Sequence, residues 1–345
     1  MSRMVVFGSD NKSAWDFDAI WPRGRMIESA TTSGGGDSAI SVGEDVAIHP
    51  SLQLGRMVMA TDKKLGVDAG MMDTPWTATL PVGISIYGLG YALAIRTPTF
   101  AQVLSGTVYT MALTLIEQIN AQQELFVRPG DFDGDDIIRT ETLDQRTYYE
   151  QLRALVIRAK KEMFLRPVVE DKTLIIYVDI KDQIGVDTQF ELHDGKGANV
   201  QVVNAVLDGK IINCLTGIGS QSASDGRLQT EPQINAASSE LVRLRSDVVQ
   251  FPGVVDETTL LQNTINSLAV SSWAWSNFQV NILDVGDTWY HTRPGNEFFL
   301  HVSNLYYPGG VVGWRGKVRL TAMAIDEASG VVSANMEKIY DPTTV

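Results

Sequence analysis

Residues 145–180 read QRTYYEQLRALVIRAKKEMFLRPVVEDKTLIIYVDI, and the period of their apolar residues changes part-way along. Tyr148, Leu152, Leu155, Val156 and Ala159 recur at three- and four-residue spacings with Lys and Glu on the opposite side, which predicts a helix over about 145–162. Residues 174–180 are a β-branched and aromatic run of strand length. A helix feeding a strand within so short a stretch places the chain in the α+β class.

An echo lies upstream. Residues 125–129 (LFVRP) resemble 163–167 (MFLRP), and the Ile pair at 137–138 resembles that at 175–176, both at an offset of 38. Val108, Met111, Ala112, Leu115 and Ile119 mark a further helical stripe, predicting a helix over 99–122. Together these suggest a duplicated helix, strand, turn, strand unit, too few copies for a solenoid. Earlier still, short runs at 3–7, 80–86 and 91–95 lie among Gly, Met and β-formers and read as strands, with TTSGGGDS at 31–38 an exposed loop.

Downstream, residues 200–206 and 211–215 read as a hairpin around LDGK (207–210), preceded by the turn HDGKG (193–197). Residues 219–239 are rich in Ser, Gln and Asn and read as a long loop. A strand follows at 241–250, then a helix at 256–270 with Thr258, Leu261, Ile265 and Leu268 as its buried face. The closing strands, 278–283, 297–302 and 317–325, are set off by VGD (285–287), RPGN (293–296) and YPGGVVGWRG (307–316) and suit a barrel or sandwich. The expected architecture is α+β and β-rich, barrel or sandwich domains with a few inserted helices, divided at 1–97, 98–240 and 241–345.

Composition narrows the function. With 345 residues, 44% of them hydrophobic, the chain can fill more than one core, which argues against disorder. A net charge of −13 without a basic block argues against gripping phosphate backbones. No run approaches the roughly 18 apolar residues of a membrane span, and residues 1–10 lack a signal-peptide pattern, so folding in the cytoplasm without stable membrane association is expected. Cys214 is the only cysteine; it excludes an intrachain disulfide and a thiolate zinc cage and reads as a buried, inert thiol.

Candidate chemistry is sparse. Asp131, Asp133 and Asp135 in DFDGDD (131–136) are candidate calcium ligands, since alternate carboxylates on a tight loop hold hard cations. An EF-hand begun at Asp131 needs glycine sixth and glutamate twelfth, where this chain has Asp136 and Thr142, with Glu141 one place early. An acidic hairpin turn is the preferred reading. Residues 194–198 (DGKGA) lack the helix of a phosphate cradle, and Gly88-Leu89-Gly90 lacks the third dinucleotide glycine and runs into an extended-looking 91–95. His49, His193, His291 and His301 form no zinc pattern, and His291 with Glu297 merely flanks a Pro-Gly turn. Trp273, Trp275, Trp289, Tyr290, Tyr306 and Tyr307 are candidate interface aromatics, with a core position favoured for the tryptophan pair. No catalytic constellation emerges, so neither an enzyme nor a cofactor is expected.

One resemblance ties the segments together. Residues 149–164, 171–179, 199–209, 219–224, 256–268 and 285–287 follow the order of a helix, a hairpin strand, an N-x-V-x-G strand pair, a Ser-rich stretch, a helix and a VGD strand. In that order the chain resembles tail hub and minor tail proteins of long-tailed phages, particularly those infecting actinobacteria. The resemblance implies tail-tube-like β-barrels, a homotrimer around the tail axis, and a place in the virion tail tip after assembly in the host cytoplasm. It also implies partners: the distal tail protein above, tip proteins or fibres below, and the tape-measure protein ending in a lumen through which DNA passes. An acidic lumen would repel DNA rather than bind it. Two alternatives stand beside it: a receptor- or carbohydrate-binding tip module built on the aromatics, and a cell-wall hydrolase, for which no site is found.

Overall fold

A computed structural model of the chain describes residues 2–19, 23–26, 38–42, 49–51, 53–62, 66–76, 82–98, 101–134, 137–144, 146–206, 212–222, 226–241, 243–271, 277–283, 288–306, 312–326 and 331–339. The N-terminal part contributes β1 (Ser2–Phe7), β2 (Ser13–Ala19), β3 (Arg23–Met26), β4 (Ser38–Val42), β5 (Met57–Asp62), β6 (Gly66–Trp76), β7 (Val82–Gly88) and α1 (Leu89–Ala94). The middle adds β8 (Gln102–Gly106), α2 (Val108–Gln122), β9 (Val127–Phe132), β10 (Arg139–Leu143), α3 (Tyr148–Arg158), β11 (Glu162–Glu170), β12 (Thr173–Lys181), β13 (Asp187–His193) and β14 (Val200–Val206). Then come β15 (Cys214–Ser222), β16 (Gly226–Gln229), β17 (Gln233–Ile234), α4 (Ala236–Leu241), β18 (Ser246–Gln250) and α5 (Glu257–Ser271). The chain closes with β19 (Asn277–Leu283), α6 (Thr288–His291), β20 (Glu297–Tyr306), β21 (Val312–Asp326) and β22 (Val331–Lys338). The fold is β-rich, as expected, and built on curled sheets. Among the described residues no helix is long and apolar enough to cross a membrane.

The first curled sheet is antiparallel, in the order β2-β1-β5-β6-β7-β4, and its edge strands β2 and β4 approach each other. Strand alternation sends Met4, Val6, Val58, Ala60, Met72, Ile84 and Ile86 into its concave interior. The intervening residues Phe7, Met57, Met59 and Met71 face outward into a second core shared with α1, α2 and α3. Residues 91–95, expected as a strand, are largely in helix α1: Leu89, Ala92 and Leu93 lie at i, i+3 and i+4 and are all buried. So short an apolar run carries no period that separates the two states.

Helix α2 begins at Val108, not near 99, because residues 102–106 are strand β8, paired with β10. Thr107 caps α2 by accepting the Thr110 N–H at 3.3 Å. Helix α3 opens with a reciprocal capping box of Thr147 and Glu150 and ends at Arg158. Both helices lie against a sheet ordered β11-β12-β9, whose Leu174, Ile176, Val178 and Ile180 have no exposed surface. The 38-residue echo is not a repeat in space. Strand β9 runs parallel beside β12, whereas β10 leaves to pair with β8. Ile137 and Ile138 are 48% and 76% exposed, while Ile176 is buried.

The second curled sheet runs β13-β20-β21-β22-β19-β14, with β3 added beside the far end of β21. It is antiparallel except for β13, which is parallel to β20. Its concave face collects Phe278, Val280, Ile282, Phe298, Leu300, Leu320 and Met336 into a core of its own. Edges β13 and β14 meet across the HDGKG turn, where Asn199 staples them. Its side chain accepts the His193 N–H at 2.8 Å and donates to Glu191 C=O at 3.0 Å, and its own N–H donates to His193 C=O at 3.1 Å.

Between these lies a small sheet, β16-β15-β17 with β18 beside β15. The expected hairpin of 200–206 with 211–215 does not form: β14 pairs with β19, and β15 with β16, β17 and β18; LDGK lies outside the described residues. The described residues of the polar segment 219–239 include strands and a helix start, not the expected long loop, because β-ladder bonds and side-chain caps satisfy them; Asn235 accepts the Ser238 N–H at 3.1 Å, opening α4. The expected strand 241–250 begins only at Ser246.

Candidate functional site

Two polar clusters position the elements. On the outward face of the β11-β12-β9 sheet, Arg166 clasps Asp179 with two bonds, Nε to Oδ2 at 2.8 Å and Nη2 to Oδ1 at 3.0 Å. The Asp131 N–H donates to the same Oδ1 at 2.8 Å, and a Cβ on Gly130 would lie 1.9 Å from that oxygen, so only glycine lets the strands close here. The Arg166 guanidinium stands over the Tyr177 ring at 5.1 Å, and Tyr177 donates to Glu170. Asp179 raises the pKa of Arg166 through their hydrogen bond, and Glu170 likewise raises that of the Tyr177 phenol.

The candidate calcium residues sit at the end of this cluster. The Asp131 carboxylate accepts from Lys181 Nζ at 3.0 Å, which holds Asp131 below the usual carboxylate range and Lys181 above its own. Asp133 accepts the Asp182 N–H at 2.9 Å. Asp135 lies outside the described residues, among which no group of three or more His, Cys, Asp or Glu side chains is placed to hold a metal ion.

The second cluster is a joint between the helical layer and the second curled sheet. Segment 182–186 links β12 to β13, and Arg319 of β21 reaches across to it. Arg319 donates in a fork to both Glu162 oxygens, to the Ile184 carbonyl, and through Nε to the Gly295 carbonyl at 3.0 Å. Glu162 also accepts the Ile184 N–H at 2.8 Å. Beside it Lys317 bridges Asp187 at 2.5 Å and Glu297 at 2.8 Å. Lys161 of the layer pairs with Asp182 at 2.6 Å. Gly185 and Gly295 sit back to back at φ +95° and +89°, where an added Cβ on either would lie 2.1 Å from the other strand's backbone. Lys317 and Asp187 shift each other: their hydrogen bond raises the lysine and lowers the carboxyl.

The RPGN turn therefore serves this joint. Glu297 is spent on Lys317, while His291 stacks on Phe190 with ring centroids 4.7 Å apart. Asn296, the last residue of the turn, accepts the Val186 N–H at 3.1 Å. Trp273, Trp275 and Tyr307 lie outside the described residues, as do the side chains of Trp289, Tyr290 and Tyr306. Cys214 is buried, 6% exposed. Sequence reasoning missed Arg319, Glu162 and Asn199; the first two are 157 residues apart and carry no local signal, whereas Asn199 follows a Gly turn at a strand start, a cue for a side chain that bonds backbone.

No family model matches the sequence, and no curated protein is matched either. Solved structures are. The 43 kDa tail protein of prophage MuSo2 from Shewanella oneidensis is 12% identical, with a TM-score of 0.60 over 99% of each chain. Prophage tail protein gp18 from Listeria monocytogenes EGD-e is 11% identical, with a TM-score of 0.61 over 98% of this chain and 94% of that one. The chain has the fold of phage tail proteins. A tail protein from Neisseria meningitidis MC58 aligns equally well, at 13% identity and a TM-score of 0.61 over 98% of this chain and 96% of that one. At such identities the likeness is one of backbone architecture, so function rests on argument.

Proposed function

We propose that the chain is a structural subunit of a phage tail tip, a hub that joins the tail tube and distal tail ring to tip proteins or fibres. It acts as a homotrimer around the DNA exit channel. The observation that carries this reading is the extent of the likeness: 98–99% of the chain aligns with three tail proteins. The ionic joint supports it, because a hub must hold its barrels at a constant angle while load passes through them. The net charge of −13 supports it too, since DNA slides past an acidic wall without adhering.

Electron microscopy of assembled tails tests the proposal. Threefold density for this chain at the axial tip is expected; tails whose axial tip lacks it would overturn the hub.

A further inference from the structure

One seam in the molecule is polar where apolar packing would be expected. Helix α5 leaves Leu261 and Ile265 exposed and buries the stripe Thr259, Asn263 and Asn266. Asn266 ties the far end of that stripe to α3: its Nδ2 donates to the Arg158 carbonyl at 2.8 Å, an oxygen that also accepts from Arg139 Nη1 of β10 at 3.2 Å. The Arg158 guanidinium in turn donates to Glu141 Oε2, again of β10, at 2.6 Å. At the near end, a Cβ on Gly253, just before α5, would lie 3.1 Å from Thr142 Cβ. Helix α5 therefore runs along β10 from Thr142 towards Arg139. Asn263 stands one turn before Asn266, about 4.5 Å back along the axis. Glu141 lies two residues from Arg139 on the same buried face, about 6–7 Å along the strand in the same direction. The two side chains come level across the seam.

Glu141 has no exposed surface and Asn263 is 1% exposed, yet Glu141 Oε1 and both polar atoms of the Asn263 amide have no hydrogen-bond partner among the described residues. Buried groups of this kind are as a rule bonded, to protein or to ordered water. The carboxylate oxygen only accepts, whereas the amide both donates and accepts, so their common complement is a small molecule that does both. A cation is the wrong complement, because Arg158 and Arg139 already bring two positive charges to this seam.

We propose that Glu141 Oε1 and the Asn263 amide hold ordered water between them, so that α5 and the small sheet rest on the helical layer through a hydrated seam. The exposed Leu261 and Ile265 then have a reason: an apolar stripe turned inward would strip the Glu141 oxygen of its donor.

A high-resolution crystal structure of the full-length chain tests the proposal. Water density within hydrogen-bonding distance of both Glu141 Oε1 and the Asn263 amide is expected. A direct bond between the two side chains, a bound cation, or a seam without density overturns it. Native-state hydrogen exchange reads the same site in solution. Asn263→Leu fills the site and takes the donor from Glu141, so α5 is expected to exchange on the order of tenfold faster. Were the amide unsatisfied instead of hydrated, the same variant would relieve it, so slower or unchanged exchange overturns the hydrated seam. Asn263→Ser keeps a donor and an acceptor and leaves room for water, and is expected to exchange close to the wild-type rate. A serine variant as fast as the leucine variant overturns the proposal too. If Asn263→Leu does not fold, the wild-type crystal structure decides.

Discussion

The two curled sheets are close in strand number and curl but differ in what lies behind them. The first buries both faces: Met4 and Val6 point into its interior while Phe7 and Met57 enter the core of the helical layer. The second buries one face, with Phe278, Val280 and Ile282 inside and Asn277 and Gln279 exposed on the same strand. The first sheet is therefore thermodynamically part of the layer it leans on, since their apolar surfaces leave water together. The second holds its own core and is attached through polar contacts around Arg319.

The largest effect expected from this contrast comes from Phe298→Ala, which empties a fully buried aromatic position in the second core and costs about 3–5 kcal/mol. Hydrogen exchange should show lost protection confined to the strands of the second sheet, β3, β13, β14 and β19 to β22, with α2 still protected. In the shared core, Leu115→Ala costs a comparable ~2–5 kcal/mol but should loosen β5, β6 and α2 together. Uniform loss in both variants would break the contrast.

Next comes the joint. Arg319→Ala leaves Glu162 unpaired at only 12% exposure and removes the donor to two carbonyls, a cost of about 2–3 kcal/mol after discounting for partial solvation. Exchange at residues 182–187 should accelerate while both cores stay protected. Asn199→Ala removes two half-buried bonds across the seam of the second sheet and should cost about 1–2 kcal/mol, read as a lower denaturant midpoint at an unchanged slope.

The smallest effect is that of pH on the Lys317–Asp187 pair. Asp187 has a lowered folded pKa, so its contribution is present above the unfolded value and disappears as pH falls through the folded one. Lys317 has a raised pKa, so its contribution holds below the unfolded value and is lost as pH rises through the folded one. The melting temperature of the wild type should exceed that of Lys317→Met at neutral pH. The difference should shrink in acid, at pH values below the ordinary carboxylate range of about 4.

Much of the architecture was legible in the chain because amphipathic period is local. The stripe at 148, 152, 155 and 156 is helix α3, and the strand expected at 278–283 is β19. Helix α5 was found almost to the residue, but of its expected buried face, Thr258, Leu261, Ile265 and Leu268, only Leu268 is buried. Leu261 and Ile265 are 39% exposed, while Thr259, Asn263, Thr264 and Asn266 are buried. The buried side meets backbone that wants partners: Asn266 donates to the Arg158 carbonyl at 2.8 Å. Apolar spacing identifies the face that water alone would bury, and here a polar surface claimed the helix first. The aromatic pairs could not be placed by spacing, since a tryptophan reads alike in a core and at an interface.

What the sequence by itself determined about this protein is a set of segment types, set by short-range sterics and the period of apolar residues: strands at both ends, helices between them, and an acidic chain with one cysteine. Tertiary structure alone decided which strands pair, that a similar pentapeptide enters a strand antiparallel to β12 once and one parallel to it once, and that Arg319 finds Glu162. Those outcomes depend on contacts between residues far apart in the chain, where the free energy of burying a face or pairing a charge depends on what the rest of the fold brings alongside.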